Sequence, residues 1–166
     1  MKPIKIIIHH SDDTDSFSRN QFDKINYYHK QKWNFKSSLG FYGGYQYLIE
    51  KSGEVRQYRQ ENEEGAHTKG QNIDSIGICL AGNFDIEIPN EKQEESLISL
   101  IDKIINRWNI KDFEIYPHRY FGDTACYGKM LSDTWARDLY IGRKISLTKK
   151  LLELYRLLLK ALKLKK

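Results

Sequence analysis

The stretch IKIIIHH, residues 4–10, decides the fold. Four of the five residues from Ile4 to Ile8 are β-branched, and only Lys5 interrupts the apolar run. That composition is the mark of a strand buried on both faces. The run ends at His9, where polar residues begin. Side chains at the end of a buried strand commonly line sites in open α/β sheets.

Working outward, SDDTDS (residues 11–16) reads as a loop, with Asp15 or Ser18 as the cap of a helix over residues 19–33. Phe22, Ile25, Tyr28 and His29 are expected on one face of that helix. SSLGFYGG (37–44) is a turn-rich link, and YQYLIEKSGEVRQYR (45–59) is a hairpin closed by a Lys-Ser-Gly turn. A polar loop with two glycines follows at 60–72, of the kind that often carries function. DSIGICLAGNF (74–84) is a second central strand. Its Cys79 reads as a small core hydrophobe. Residues 89–109 form the clearest helix: Pro-Asn opens it, acids fill its first turns, and Leu97, Leu100, Ile101, Ile104, Ile105 and Trp108 make one apolar face. FEIYPH (113–118) is a short strand ending near His118, and residues 128–140 form a short helix.

Alternating strands and helices with one hairpin predict an α/β fold, a single domain with a central mixed β-sheet flanked by helices on both faces. The expected division is a domain over 1–143 and a basic amphipathic helix over 144–166. In that tail Leu147, Leu151, Leu154, Tyr155, Leu158 and Leu162 share one face, opposite Lys149, Glu153, Arg156, Lys160 and Lys163. Residues 147–166 carry seven Lys/Arg against one acid. The whole chain carries +5, so the rest is −1. The main body therefore gives little support to a basic groove for nucleic acid, and no specific nucleic-acid partner is expected. The tail fits either packing on the domain or a second copy, or contact with an anionic membrane or lipopolysaccharide surface. The N-terminal apolar run is too short for a secretory signal, and no stretch approaches a membrane span. Synthesis in the cytoplasm is the expectation.

His9 and His118 fall at strand ends, and Cys126 follows His118 by eight residues in PHRYFGDTAC. Two imidazoles and a thiolate would make a three-ligand catalytic zinc site with an open position. The alternative is that each is a structural residue bonded to its surroundings. The spacing of His118 and Cys126 matches no local zinc-finger pattern.

Taken together, IIIHHS, YYHKQKWNF, GGYQYLIEKSGEV, GAHTKGQNIDSIGICLAGNFD and HRYFGDTAC resemble the type 2 N-acetylmuramoyl-L-alanine amidases, a family that includes small phage endolysins and peptidoglycan recognition proteins. The resemblance covers residues 4–138. It implies zinc (Zn²⁺) held by His9, His118 and Cys126, with Tyr45 as the active-site tyrosine. It also implies a peptidoglycan substrate, cut between the lactyl group of N-acetylmuramic acid and L-alanine by water activated at the metal. Recognition relatives that do not cleave generally lack the cysteine, which this chain keeps. Thr124 stands where some phage members carry Lys and many recognition proteins carry Thr, and is a candidate hydrogen-bond donor in the reaction. With no lysine there, His67 is a candidate for proton transfer or substrate contact; its other reading is a loop histidine bonded to backbone. His10 and His29 read as structural. Tyr127 departs from the proline that relatives usually carry after the cysteine. The expected setting is a phage or prophage endolysin that reaches the cell wall at lysis. A muropeptide-recycling amidase and a non-cleaving binding or regulatory module are the alternatives.

Overall fold

The computed structural model describes residues 1–13 and 20–163, with side chains through Leu158. Asp15 and Ser18, the caps expected for the first helix, lie outside the described residues. Among the described residues five strands form one sheet: β1 (Lys5–His10), β2 (Tyr47–Ile49), β3 (Val55–Gln57), β4 (Ser75–Leu80) and β5 (Ile115–Pro117). Their spatial order is β3-β2-β4-β1-β5. β1 pairs in parallel with β4 and β5, β2 pairs in parallel with β4, and only the β2–β3 hairpin is antiparallel. The sheet is thus mixed, as expected, and all six residues of both β1 and β4 are buried. β1 runs through His10, so both histidines lie inside the strand and not beyond its end.

Among the described residues three α-helices cover the sheet: α1 (Gln21–Trp33), α2 (Glu91–Trp108) and α3 (Trp135–Lys163). Strand alternation sorts the core into two layers. On one face Ile6, Ile8, Ile76, Ile78 and Leu80 pack with Leu97, Leu100, Ile101, Ile104 and Ile105 of α2 and with Ala136 and Tyr140 of α3. Each large side chain buried there contributes about 1.5–3 kcal/mol. On the other face Leu48 and Cys79 pack with Phe22 and Ile25 of α1 and with Tyr58. His9 is in register with Cys79 and His10 with Leu80, so His9 faces the α1 side and His10 the α2 side.

α2 starts on a capping box in which Asn90 and Gln93 bond each other's backbone amides. α1 starts from Asn20, whose side chain accepts from the Asp23 amide. Phe22, Ile25 and His29 are buried as expected, but Tyr28 is exposed. It precedes His29 by one residue, and about 100° of helix rotation carries it off the apolar stripe.

The helices expected over 128–140 and 144–166 are one helix, α3, which begins only at Trp135 and crosses residues 143–144 without a break. What changes near that point is burial: Tyr140 is buried, whereas every residue from Gly142 to Leu158 is exposed. Among the described residues no helix is long and apolar enough to cross a membrane.

Candidate metal centre

The parallel pairing of β1 with β5 explains why residues over a hundred positions apart meet. Ile8 pairs with Pro117, so His9 in β1 and His118, the first residue after β5, project side by side at one end of the sheet. Their rings lie 4.5 Å apart. A short 3-10 turn (His118–Tyr120) leads from His118 into a loop that returns to place Cys126 beside β1. The Cys126 thiol lies 3.7 Å from His9 Nδ1 and accepts the His10 backbone N–H at 3.4 Å. One ligand atom from each of His9, His118 and Cys126 falls within 4.8 Å of the others.

Arg119 holds this loop. Its backbone N–H donates to the Cys126 carbonyl at 2.8 Å, and its guanidinium donates to the carbonyls of Gly128 and Leu131, each at 2.6 Å. The ion pair with Asp133 completes the fork. Tyr127 is buried, with its ring against Trp135 and its hydroxyl donating to the Ser132 carbonyl, and the Cys126–Tyr127 peptide is cis.

The electrostatics fit a divalent cation. Burial, and then the neighbouring His67, hold His9 well below its usual pKa, and burial lowers His118 too, so both present neutral imidazoles with lone pairs. Burial also pushes the Cys126 thiol up to about 12. A cation there would replace the thiol proton and leave no net buried anion. With metal–sulfur and metal–nitrogen bonds of about 2.3 and 2.0–2.1 Å, a tetrahedral zinc site separates S from N by about 3.6 Å. The 3.7 Å between Cys126 and His9 is that edge.

The remaining candidates lie around this trio. Tyr45 is half-buried, its ring 5.0 Å from that of His9, and burial beside the Cys79 thiol raises its pKa well above 10, so it keeps its proton. Thr124 Oγ1 accepts the Cys126 backbone N–H at 3.2 Å, which ties its position to the loop and leaves its own proton to donate. His67 is buried and reaches His9 directly, Nδ1 to Nε2 at 3.1 Å. His10 accepts the Phe84 N–H on the opposite face of the sheet, and His29 accepts the Gly44 N–H at 2.8 Å, one residue before Tyr45.

Sequence reasoning passed over Arg119, Thr68 and Ser75. Thr68 and Ser75 both touch the His67 ring. The available signal was the alternation of β4, which puts Ser75, Gly77 and Cys79 on the His9 face; a serine and a glycine there break an otherwise apolar strand.

A sequence model of N-acetylmuramoyl-L-alanine amidases matches residues 1–129, which include all three candidate ligands, Tyr45 and Thr124. The chain belongs to this amidase family. Similar family members include an endolysin of Escherichia phage T7, 45% identical over 100 residues, covering 57% of this chain and 65% of that one. Peptidoglycan-recognition protein SC2 of Drosophila melanogaster is 31% identical over 128 residues, covering 74% and 66%. The match thus spans about two thirds of these curated relatives. Among solved structures, the N-acetylmuramoyl-L-alanine amidase LysC from Clostridium intestinale URNW superposes with a TM-score of 0.66 at 33% identity, over 78% of each chain. The LysC structure shares the α/β fold described above.

Proposed function

We propose that the chain is a zinc-dependent N-acetylmuramoyl-L-alanine amidase that cuts the lactyl–L-alanine bond of peptidoglycan, acting as a phage or prophage endolysin. The observation that carries this is the convergence of His9, His118 and Cys126 on one point, with Cys126 at a tetrahedral-edge distance from His9. Zinc held there would supply Lewis acidity, polarising the scissile carbonyl and lowering the pKa of water from 15.7 to about 7. The protein's own groups do the rest. Tyr45 stays protonated and donates to the oxyanion that develops as the carbonyl turns tetrahedral. Thr124, anchored by the Cys126 amide, offers a second donor from the loop side. The retained cysteine and tyrosine favour cleavage over binding alone. The endolysin relative supports action on the cell wall at lysis.

Residues 1–143 make up the catalytic unit in this reading, and 144–166 an appendage. The exposed face of α3, with Leu147, Leu151, Leu154 and Leu158 opposite Lys149 and Arg156, has the form of a helix that lies in an anionic lipid surface.

Metal analysis of wild type and Cys126→Ser, run beside release of amino groups from purified sacculi, tests the reaction. Wild type should hold about one zinc and release L-alanine amino groups, and the variant should do neither. Wild type without zinc and without release would sink the proposal.

A further inference from the structure

We propose that His67 is a positioning residue that fixes the tautomer of His9 and so keeps His9 Nδ1 free to ligate; this rests on the zinc reading above. The polarity of the hydrogen-bond chain carries the argument. Ser75 donates its hydroxyl proton to the Gln71 carbonyl at 2.6 Å. Its oxygen, 3.4 Å from His67 Nε2, is therefore left as an acceptor, and the His67 proton sits on Nε2. His67 Nδ1 then carries a lone pair. It faces His9 Nε2 at 3.1 Å, and a lone pair there requires the His9 proton on Nε2. Thr68 is compatible with this: its hydroxyl oxygen, 3.4 Å from His9 Nε2 and 3.0 Å from His67 Nδ1, can share the His9 Nε2 proton as a second, longer acceptor. The consequence falls on the far side of the His9 ring. Nδ1 is left unprotonated, 3.7 Å from the Cys126 thiol.

The seat of His67 is built to hold one orientation. A Cβ added at Gly65 would come 2.5 Å from His67 Cδ2, and one added at Gly77 would come 2.6 Å from the same atom. Two glycines thus leave room for the ring, one from the loop and one from β4. Asn72 Oδ1 takes the backbone N–H groups of both His67 and Thr68 at 2.9 Å, which fixes the loop above. A group placed to exchange protons with substrate needs access. His67 instead spends both ring nitrogens inside the protein, as the outer partner of a metal-bound histidine does.

Two substitutions separate this role from bulk packing. His67→Asn places a carbonyl oxygen where Nδ1 was and can still accept from His9 Nε2–H. His67→Gln places its carbonyl near the Nε2 position, beside Ser75, and cannot. Zinc affinity, measured by competition with a chelator, should stay within a few-fold of wild type in His67→Asn. It should fall about 10–100-fold in His67→Gln. Equal losses in the two would mark the residue as packing only, and would overturn the proposal. So would unchanged affinity in both with a lost limb of the pH–rate profile, because that is the signature of a proton carrier. The tautomer is also readable without metal. Imidazole ¹⁵N–¹H correlation spectra of the metal-free protein should show His9 protonated at Nε2. A proton on Nδ1 overturns the relay even if zinc binds, whereas wild type that binds no zinc but shows the Nε2 proton would leave the relay standing and remove the metal reading.

Discussion

The ring of Tyr45 lies 5.0 Å from that of His9, and burial keeps its hydroxyl protonated. Removal of that hydroxyl in Tyr45→Phe should lower kcat about 10²–10³-fold while zinc affinity and melting temperature stay at wild-type values. A loss of zinc in that variant would show the ring to be part of the metal's support instead. His29 makes a second residue-scale prediction. Burial lowers its pKa to about 4, against 6.5 in an unfolded chain, so the folded state favours neutral imidazole. The stability this confers is present above pH 6.5 and is lost as pH falls from there towards 4, at most about 3 kcal/mol. His29→Asn retains an acceptor for the Gly44 amide but does not titrate. Its unfolding free energy should decline less than that of wild type between pH 7 and 4.5, and parallel declines would count against His29 as a source of acid sensitivity. The three candidate ligands stood out at this scale because His and Cys are rare in the chain and sit next to recognisable runs. Thr68 and Ser75 were not, because a hydroxyl declares no role until its partner ring is in place.

At the scale of elements, Arg119 ties the loop from His118 to Leu131 through two carbonyls and an ion pair. Arg119→Met should cost about 2–3 kcal/mol, since it leaves two carbonyls unpaired. It should also let Cys126 react faster with a thiol reagent in the metal-free protein. An unchanged labelling rate would mean that the loop is held by other contacts. This loop is where the sequence spoke least. The strands announce themselves by β-branched runs, and α2 by its capping box and 3.6-residue stripe. Residues 118–134 carry no periodicity, because their order comes from side chains, Arg119 foremost, bonding scattered backbone atoms. The expected start of a helix at residue 128 failed for the same reason: Gly128 has φ +105 and its carbonyl is engaged by Arg119, so the helix waits until Trp135.

For the whole molecule, the tail divides reading from outcome. Its amphipathic pattern was plain in the sequence, but its continuity with the preceding helix was not, because α3 runs without a break through Gly142, a poor helix former. Since Gly142 to Leu158 are exposed, truncation after Arg143 should leave the melting temperature within a few degrees and hydrolysis of sacculi intact. Binding to vesicles rich in phosphatidylglycerol should fall at least tenfold, and more at low salt than at high salt. Equal vesicle binding by the full and truncated chains would assign the tail another partner.

The central position of β1 has a consequence for how the chain comes to be folded. β1 is made before both of its neighbours, β4 and β5, so Ile6 must wait for Ile76 on one side and Ile115 on the other. Such high contact order implies slow, late folding. A nascent polypeptide halted before residue 115 would carry a bare hydrophobic edge and depend on holding factors at the ribosome. Protease resistance in stalled chains should appear only once β5 has cleared the exit tunnel, and earlier protection would mean that β1 and β4 fold as a unit on their own.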